Sequence, residues 1–536
     1  MVLEWSASKP EVALSFLRKC VALVEKDLAY CSGRRPPSST SARSDGRVVQ
    51  NPCLDAFGVV LNQSCDGRGW LTSTKELQLA SLSFCAACRN VATTTLRVDY
   101  AIPRSLLAAA DAPPPGQERL CTTRVPRLRA RRVVWELPTA TELRRPIYAL
   151  ADATHMHFSW RFLDTFEGVQ WPHGLCAVKY DSELVPLHHL TAKAAWPKSL
   201  QYIMFGDNFD QALWGSVWPE SLRRLAFGEG FNRPIVEVVW PTSLEQLAFG
   251  EEFDRPLEGV VWPPSLQQLA FRDSFNQSLD RVVWPTSLQQ LELGDSFNQQ
   301  IGSAVWPSFL QQLTFGDYFN QAIEGVVLPA SLQELTLGNG FNQPIEQVVW
   351  PTSLQQLTFG AYFDQPVEKV KWPAFLRHLA FGESFDQSIE RAKWPNSLRQ
   401  LGFGEAFNRR VEEVRWPASL EDISFGTTRS AFYSVNGIGI AATFNQAIDR
   451  ARWPASLRRL TLGGTFSNSC GNLGAWMPSL EEFTLLLEDR SGYDNVLGGI
   501  EWPKSLRRLT IFDDAGLDGV MIPHRVQVVR RAQDRC

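Results

Sequence analysis

The chain is 536 residues long, 44% hydrophobic and 21% charged, with a formal charge of −4 at neutral pH. So apolar a composition excludes a wholly disordered chain, and so small a charge excludes a global basic field, so no nucleic-acid partner is expected. Length alone allows two to four ordinary domains, or one elongated array with a smaller companion.

The first residues, MVLEWSASKPEVALSFLRK, carry an early acid and no small-residue cleavage site, and no run of about 18 apolar residues occurs. Neither a signal peptide nor a membrane span is predicted, no membrane partner is expected, and the expected location is cytoplasmic or nuclear. After Pro10, residues Leu14, Leu17, Val21, Val24 and Leu28 recur on one stripe, predicting an amphipathic helix over 10–30. RRPPSSTSARSDGR (34–47) then reads as flexible linker. Seven of the ten cysteines (Cys20, Cys31, Cys53, Cys65, Cys85, Cys88 and Cys121) precede residue 122. An extracellular disulfide scaffold would spread them through its folded body, so a reducing compartment is expected. Residues 1–150 carry 21 Lys and Arg against 13 Asp and Glu, and the remainder 32 against 44, which suggests different partners for the two parts.

In WLTSTKELQLASLSFCAACRNVA (70–92), Leu77, Ala80, Phe84, Cys88 and Val91 fall at helical spacing. The order Leu71, Glu76-Leu77, Phe84-Cys85, Arg89 resembles the second half of an F-box. That resemblance implies a substrate receptor of a ubiquitin ligase, docked on a Skp-type adaptor through Leu71, Leu77 and Phe84. The pattern departs from the family in three ways: the opening Leu-Pro is missing, NQSCDGRG (62–69) interrupts, and no aromatic follows Cys88. A helical cap on the repeats toward the carboxy terminus is the alternative. Residues 1–101 are thus assigned to a helical amino-terminal region that is F-box-like or a cap. Residues 102–150 are assigned to a Pro/Arg-rich linker, where the basic run RVPRLRARR (124–132) is solvated or serves as a nuclear signal or phosphate contact. Residues 151–195 read as degenerate repeats or an N-cap, with Trp171 as a forerunner of the pattern.

Trp-Pro pairs begin at Trp196, Trp218, Trp240, Trp262, Trp284 and Trp306, pass through Leu328-Pro329, and resume at Trp350, Trp372, Trp394 and Trp416, always 22 residues apart. Self-similarity at this period means a solenoid, whose coils cannot bury their apolar sides alone and must stack. After each Trp-Pro comes Ser-Leu, two polar residues, Leu, a small residue, then Phe-Gly. In Leu247-Ala248-Phe249 the alternation predicts a strand with Leu and Phe turned inward. One residue before the Trp stands Val239 or Val261, but later Lys371, Lys393 and Arg415. A position that accepts charge faces water, so Val238 and Trp240 are predicted to be buried on either side of it. Gly228, Gly250, Gly294, Gly316 and Gly360 end the strand, where a positive φ is expected. Phe231-Asn232 and its counterparts pair a buried ring with a side chain able to bond turn amides that no ladder reaches.

The unit FNQPIEQVVWPTSLQQLTFG (341–360) resembles the FNIP repeat, a 22-residue relative of leucine-rich repeats. Trp usually stands where that family more often has Leu, as at Leu328. The resemblance implies a mainly β, leucine-rich-repeat-like parallel solenoid of about fourteen coils over 196–512, and a non-enzymatic interaction scaffold. It supplies no ligand. An insertion at about 428–442 interrupts one coil; it is a projecting loop or a retained intron, and the pattern resumes at FNQAIDRARWP. Residues 513–536 are assigned to a carboxy-terminal cap or tail.

The outward strand positions form the candidate protein-binding strip: Arg224, Gln246, Gln268, Gln290, Gln312, Glu334, Gln356, His378 and Gln400. Side by side at about 4.8 Å they make a flat polar surface, either a protein-binding face or simply a solvated one. No HExxH, triad, P-loop or nucleophile elbow surrounds the seven histidines, and the recurrent Ser is expected to be a turn residue. Cys85-x-x-Cys88 with Cys53 and Cys65 lacks regular zinc spacing, so neither metal nor cofactor is expected. The competing class is an enzyme with its site in residues 1–150.

Overall fold

The computed structural model describes residues 201–426, 442–487, 492–512, 517 and 520–531, together with 166–181, 196–200 and shorter stretches between 95 and 164. The stripe at 10–30, the F-box-like segment with Leu71, Leu77 and Phe84, the Cys85/Cys88 pair and the insertion up to residue 441 lie outside the described residues. The chain divides into two units, Met1–Met204 and Phe205–Cys536.

In the first unit β1 (Thr95–Val98), β2 (Arg132–Trp135), β3 (His155–Phe158) and β4 (Ala177–Tyr180) pair in that order, all parallel. Val133, Met156 and Val178 align across three of these strands, and all three are buried. Two strands thus fall in stretches expected to be helical and linker. RVVW alternates like the later strands, and a β-branched pair favours a strand once a neighbour can cover it. β5 (Tyr202–Phe205) lies at the division between the units.

The second unit is a ladder of parallel strands, one per coil. Ten share the 22-residue spacing: β6 (Arg224–Ala226), β7 (Gln246–Ala248), β8 (Gln268–Ala270), β9 (Gln290–Glu292), β10 (Gln312–Thr314), β11 (Glu334–Thr336), β12 (Gln356–Thr358), β13 (His378–Ala380), β14 (Gln400–Phe403) and β15 (Asp422–Phe425). β16 (Arg459–Gly464), β17 (Glu482–Leu487), β18 (Arg508–Phe512) and β19 (Gln527–Arg531) continue the ladder. Each strand pairs with the next at equivalent positions, as in Leu225↔Leu247↔Leu269. The register survives the insertion, since Asp422 pairs with Arg459. Among the described residues of this unit, short helices α1 (Leu473–Trp476) and α2 (Tyr493–Leu497) enter only where the spacing loosens.

Burial follows the alternation. Leu247 and Phe249 are buried around half-buried Ala248, and Val238 and Trp240 are buried around Val239, which is 81% exposed. The Trp segment faces the strand across the core, with Trp372 and Phe381 edge to face at 6.2 Å. Phe231 and Phe253 stack at 6.0 Å from one coil to the next, and Phe227 closes on Phe231 within its coil at 4.2 Å. These rings form the continuous column that lets coils share one core.

Polar columns complete the stacking. The amide N–H of Asp254 donates to Asn232 Oδ1 at 3.1 Å, and that of Asn276 donates to Asp254 Oδ1 at 3.0 Å. The same contact repeats down the unit to Ser467 on Asn445. The side chain stands in for a ladder that the backbone cannot make there. The recurrent serine does more than turn the chain: Ser353 Oγ shares its hydrogen between the carbonyls of Ala330 and Leu332 of the preceding coil, at 2.7 and 2.6 Å.

The glycine expectation needs correcting. Positive φ is absent at Gly228, Gly250, Gly294, Gly316 and Gly360; it occurs in a different turn at Gly215, Gly259 and Gly325, and in the strand-end column at Gly426, where the insertion begins. Those five are glycine because the coils touch: a Cβ on Gly250 would lie 1.7 Å from the carbonyl oxygen of Gly228.

Candidate protein-binding surface

Parallel in-register pairing turns one outward residue per coil into a row. Arg224, Gln246, Gln268, Gln290, Gln312, Glu334, Gln356, His378 and Gln400 all open their strands and stand beside one another, each next to a buried Leu. Most are half-buried, pressed between like neighbours. Glu334 is held from both sides: Gln312 Nε2 donates to its Oε2 and Gln356 Nε2 to its Oε1, each at 3.0 Å. Burial, then the nearby Arg377 guanidinium, holds the His378 imidazole below its ordinary pKa and so favours its neutral form. The row continues into an ion pair between Asp422 and Arg459 at 2.9 Å. The amides and carboxylates thus satisfy part of their bonding among themselves and present a flat, ordered polar face.

Exposed aromatics that the repeat pattern alone does not reveal lie before and after these strands. Phe309 and Phe375 occupy the serine column and are each 63% exposed. Tyr318 (68% exposed) and Tyr362 (53% exposed) sit in the turn after the strand. Phe309 and Tyr318 therefore bracket β10, while Tyr362 and Phe375 bring the same side chains to the coils of β12 and β13. Their signal was present as aromatic breaks in columns otherwise small and polar, although only the fold shows that both columns border the strands.

The turn after the strand carries a second electrostatic feature. Asp207, Glu229, Glu251, Asp273, Asp295 and Asp317 occupy one position in six successive coils. Neighbouring carboxylates Glu229 and Asp273 push the Glu251 pKa up; burial, then Asp317 and Asp273, does the same to Asp295.

Other chemistry is sparse. His157 bonds Asp181, whose carboxylate Lys179 also reaches at 3.2 Å. Burial alone would raise the Asp181 pKa, but His157 and Lys179 outweigh it and hold it low. Burial pushes the Cys470 thiol up to about 12, which leaves it unreactive. Among the described residues no group of three or more His, Cys, Asp or Glu is placed to hold a metal, and no helix is long and apolar enough to cross a membrane.

The 22-residue units match the FNIP Repeat family at residues 231–274, 253–296, 275–318, 297–340, 341–384 and 363–406. Residues 231–406 thus carry FNIP repeats. These repeats are leucine-rich-repeat-like in three dimensions as well. The crystal structure of CroV588, a circular leucine-rich-repeat protein, aligns with a TM-score of 0.57 and 27% identity, over 75% of this chain and 66% of that one. The chain therefore spans just under two thirds of that neighbour's length. The Toll–Spatzle complex of Drosophila aligns with a TM-score of 0.46 and 12% identity, over 82% of this chain and 61% of that one. An internalin of Listeria monocytogenes gives a TM-score of 0.31 and 11% identity, over 69% and 86%. At those scores neither bears on function. No protein of curated function matches the chain.

Proposed function

We propose that this protein is a non-enzymatic scaffold that binds another protein along the outward strand face, centred on β10 to β13. The observation that carries this is the coincidence of an ordered amide row with four exposed aromatics at the strand ends. Phe309, Tyr318, Tyr362 and Phe375 offer large, stiff contact surfaces, while Gln312, Glu334 and Gln356 between them supply polar contacts already held in place, with His378 next in the row. An exposed phenylalanine in place of a serine that would staple two coils spends stability on surface chemistry, as binding sites do. The F-box-like docking of Leu71, Leu77 and Phe84 on a Skp-type adaptor gains no support from the described residues and stays a sequence expectation.

The test uses the full chain as bait. Proteins recovered with the wild type are compared with those recovered by Phe309→Ser/Phe375→Ser, which installs the residue most coils carry, and by Tyr318→Ser/Tyr362→Ser. Loss of the same bound proteins from both variants, with unchanged melting temperature, is expected. Retention of the full bound set by both would overturn the assignment.

A further inference from the structure

A second surface lies on the other side of the coils. The position before each Trp-Pro or Leu-Pro pair is valine in seven successive coils; Val217 is 54% exposed, and the other six, Val239, Val261, Val283, Val305, Val327 and Val349, are 71 to 84% exposed. Adjacent coils in a parallel ladder are about 4.8 Å apart, so these six form a ridge about 24 Å long. The column three residues after the valines is small, as at Thr286 and Ala330, while the column two residues before them mixes small residues (Gly259, Ser303, Gly325) with exposed Glu237, Arg281 and Gln347. At roughly 100 Å² of apolar surface per valine, the ridge alone offers on the order of 600 Å², the upper end of what monomers leave open. Nothing in the core requires valine here, since the same column carries Lys371, Lys393 and Arg415 in the next three coils.

We infer that the valine ridge is a self-association surface, and that its occupant is a second copy of this chain in antiparallel orientation. Three features select this occupant. A second copy repeats the same spacing, so the valines of one ridge fall into the gaps of the other along the whole length; an unrelated partner would have to reproduce that period. With modest flanking contacts, the area approaches the roughly 800 Å² per partner of a standard stable interface, and a valine has little rotamer freedom to lose on burial.

Charge sets the direction. A parallel alignment would stack Lys371, Lys393 and Arg415 on their own copies, and none of the three makes an ion pair among the described residues. An antiparallel two-fold register engaging the six most exposed valines instead carries Lys371 past them, opposite Val217, in the coil that also carries exposed Glu220. The symmetry makes this contact twice and closes the assembly at two copies.

Sedimentation velocity of the full chain over about 0.1 to 100 μM tests this. A dimer with a Kd on the order of 1 μM is expected. Val283→Asp/Val305→Asp should weaken it by at least about 100-fold without altering the melting temperature of the monomer, and Val283→Thr/Val305→Thr provides the milder change should the first pair fold poorly. Lys371→Glu should weaken the dimer by about tenfold, and adding Glu220→Lys to the same chain should restore it. A wild type monomeric throughout, as when a segment of its own chain covers the ridge, would overturn the inference. So would a dimer indifferent to both valine pairs, and a charge reversal that the second reversal does not rescue would overturn the antiparallel register.

Discussion

The carbonyl oxygen of Gly228 lies 1.7 Å from the position that a Cβ on Gly250 would take, so the two coils meet backbone to backbone at this corner. Gly250→Ala must therefore push one coil away from the next, and a loss of about 3 kcal/mol is expected in urea unfolding. Gly302 is the control: a Cβ there meets nothing within 4 Å. Gly302→Ala should be neutral or stabilising by about 0.5 kcal/mol, because it narrows only the unfolded ensemble. Equal losses in the two variants would contradict the close-approach explanation.

The aromatic column and the polar row should separate cleanly. Phe319 is fully buried and stacks on Phe297 and Phe341 at 6.0 and 6.1 Å. Phe319→Ala is expected to cost about 3 to 5 kcal/mol. Gln312→Ala, which removes a surface contact with Glu334, should cost less than about 0.5 kcal/mol. Chemical denaturation of the two variants side by side measures the difference.

Trp350 is buried, yet its indole N–H makes no hydrogen bond among the described residues, and the same holds for Trp240 and Trp394. The ring is there for volume. Trp350→Leu, which copies Leu328 in the adjacent coil, should cost no more than about 1.5 kcal/mol, because losing an unpaired donor offsets part of the lost packing. Trp350→Ala should cost about 3 to 5 kcal/mol. Thermal unfolding that ranks the two equally would show that the indole is bonded after all.

Asp295 stands between Asp273 and Asp317 in the carboxylate column, and burial together with those neighbours raises its pKa. A raised carboxyl favours the protonated form in the folded chain, so the ionised group weakens the fold above that pKa, and the penalty fades as pH falls towards the unfolded value. Asp295→Asn should add about 0.5 kcal/mol at neutral pH, reduced by solvent screening at this exposed site, and nothing near pH 3. Asn339 occupies the same column and bonds Asp317 through its Nδ2 at 2.8 Å, so the amide fits. Urea midpoints across the pH range give the comparison, and a gain that persists at low pH would exclude charge as its cause.

The period of 22, the inward Leu, Phe and Trp, the outward residue between Val238 and Trp240, and the Asn ladder were legible in the sequence. Each is a local demand repeated in every coil, and repetition separates positions that tolerate charge from positions that do not. Contact between coils was not legible. The glycine column looked like a dihedral requirement and is a steric one; the serine column looked like a turn and is a staple to the preceding coil. Strands β1 and β2 went unseen because short segments such as TLRV and RVVW become strands only when a neighbour supplies the ladder. The exposed aromatics and the valine ridge follow the same rule: the residues are plain in the sequence, but stacking at a fixed spacing is what turns one exposed side chain per coil into a surface.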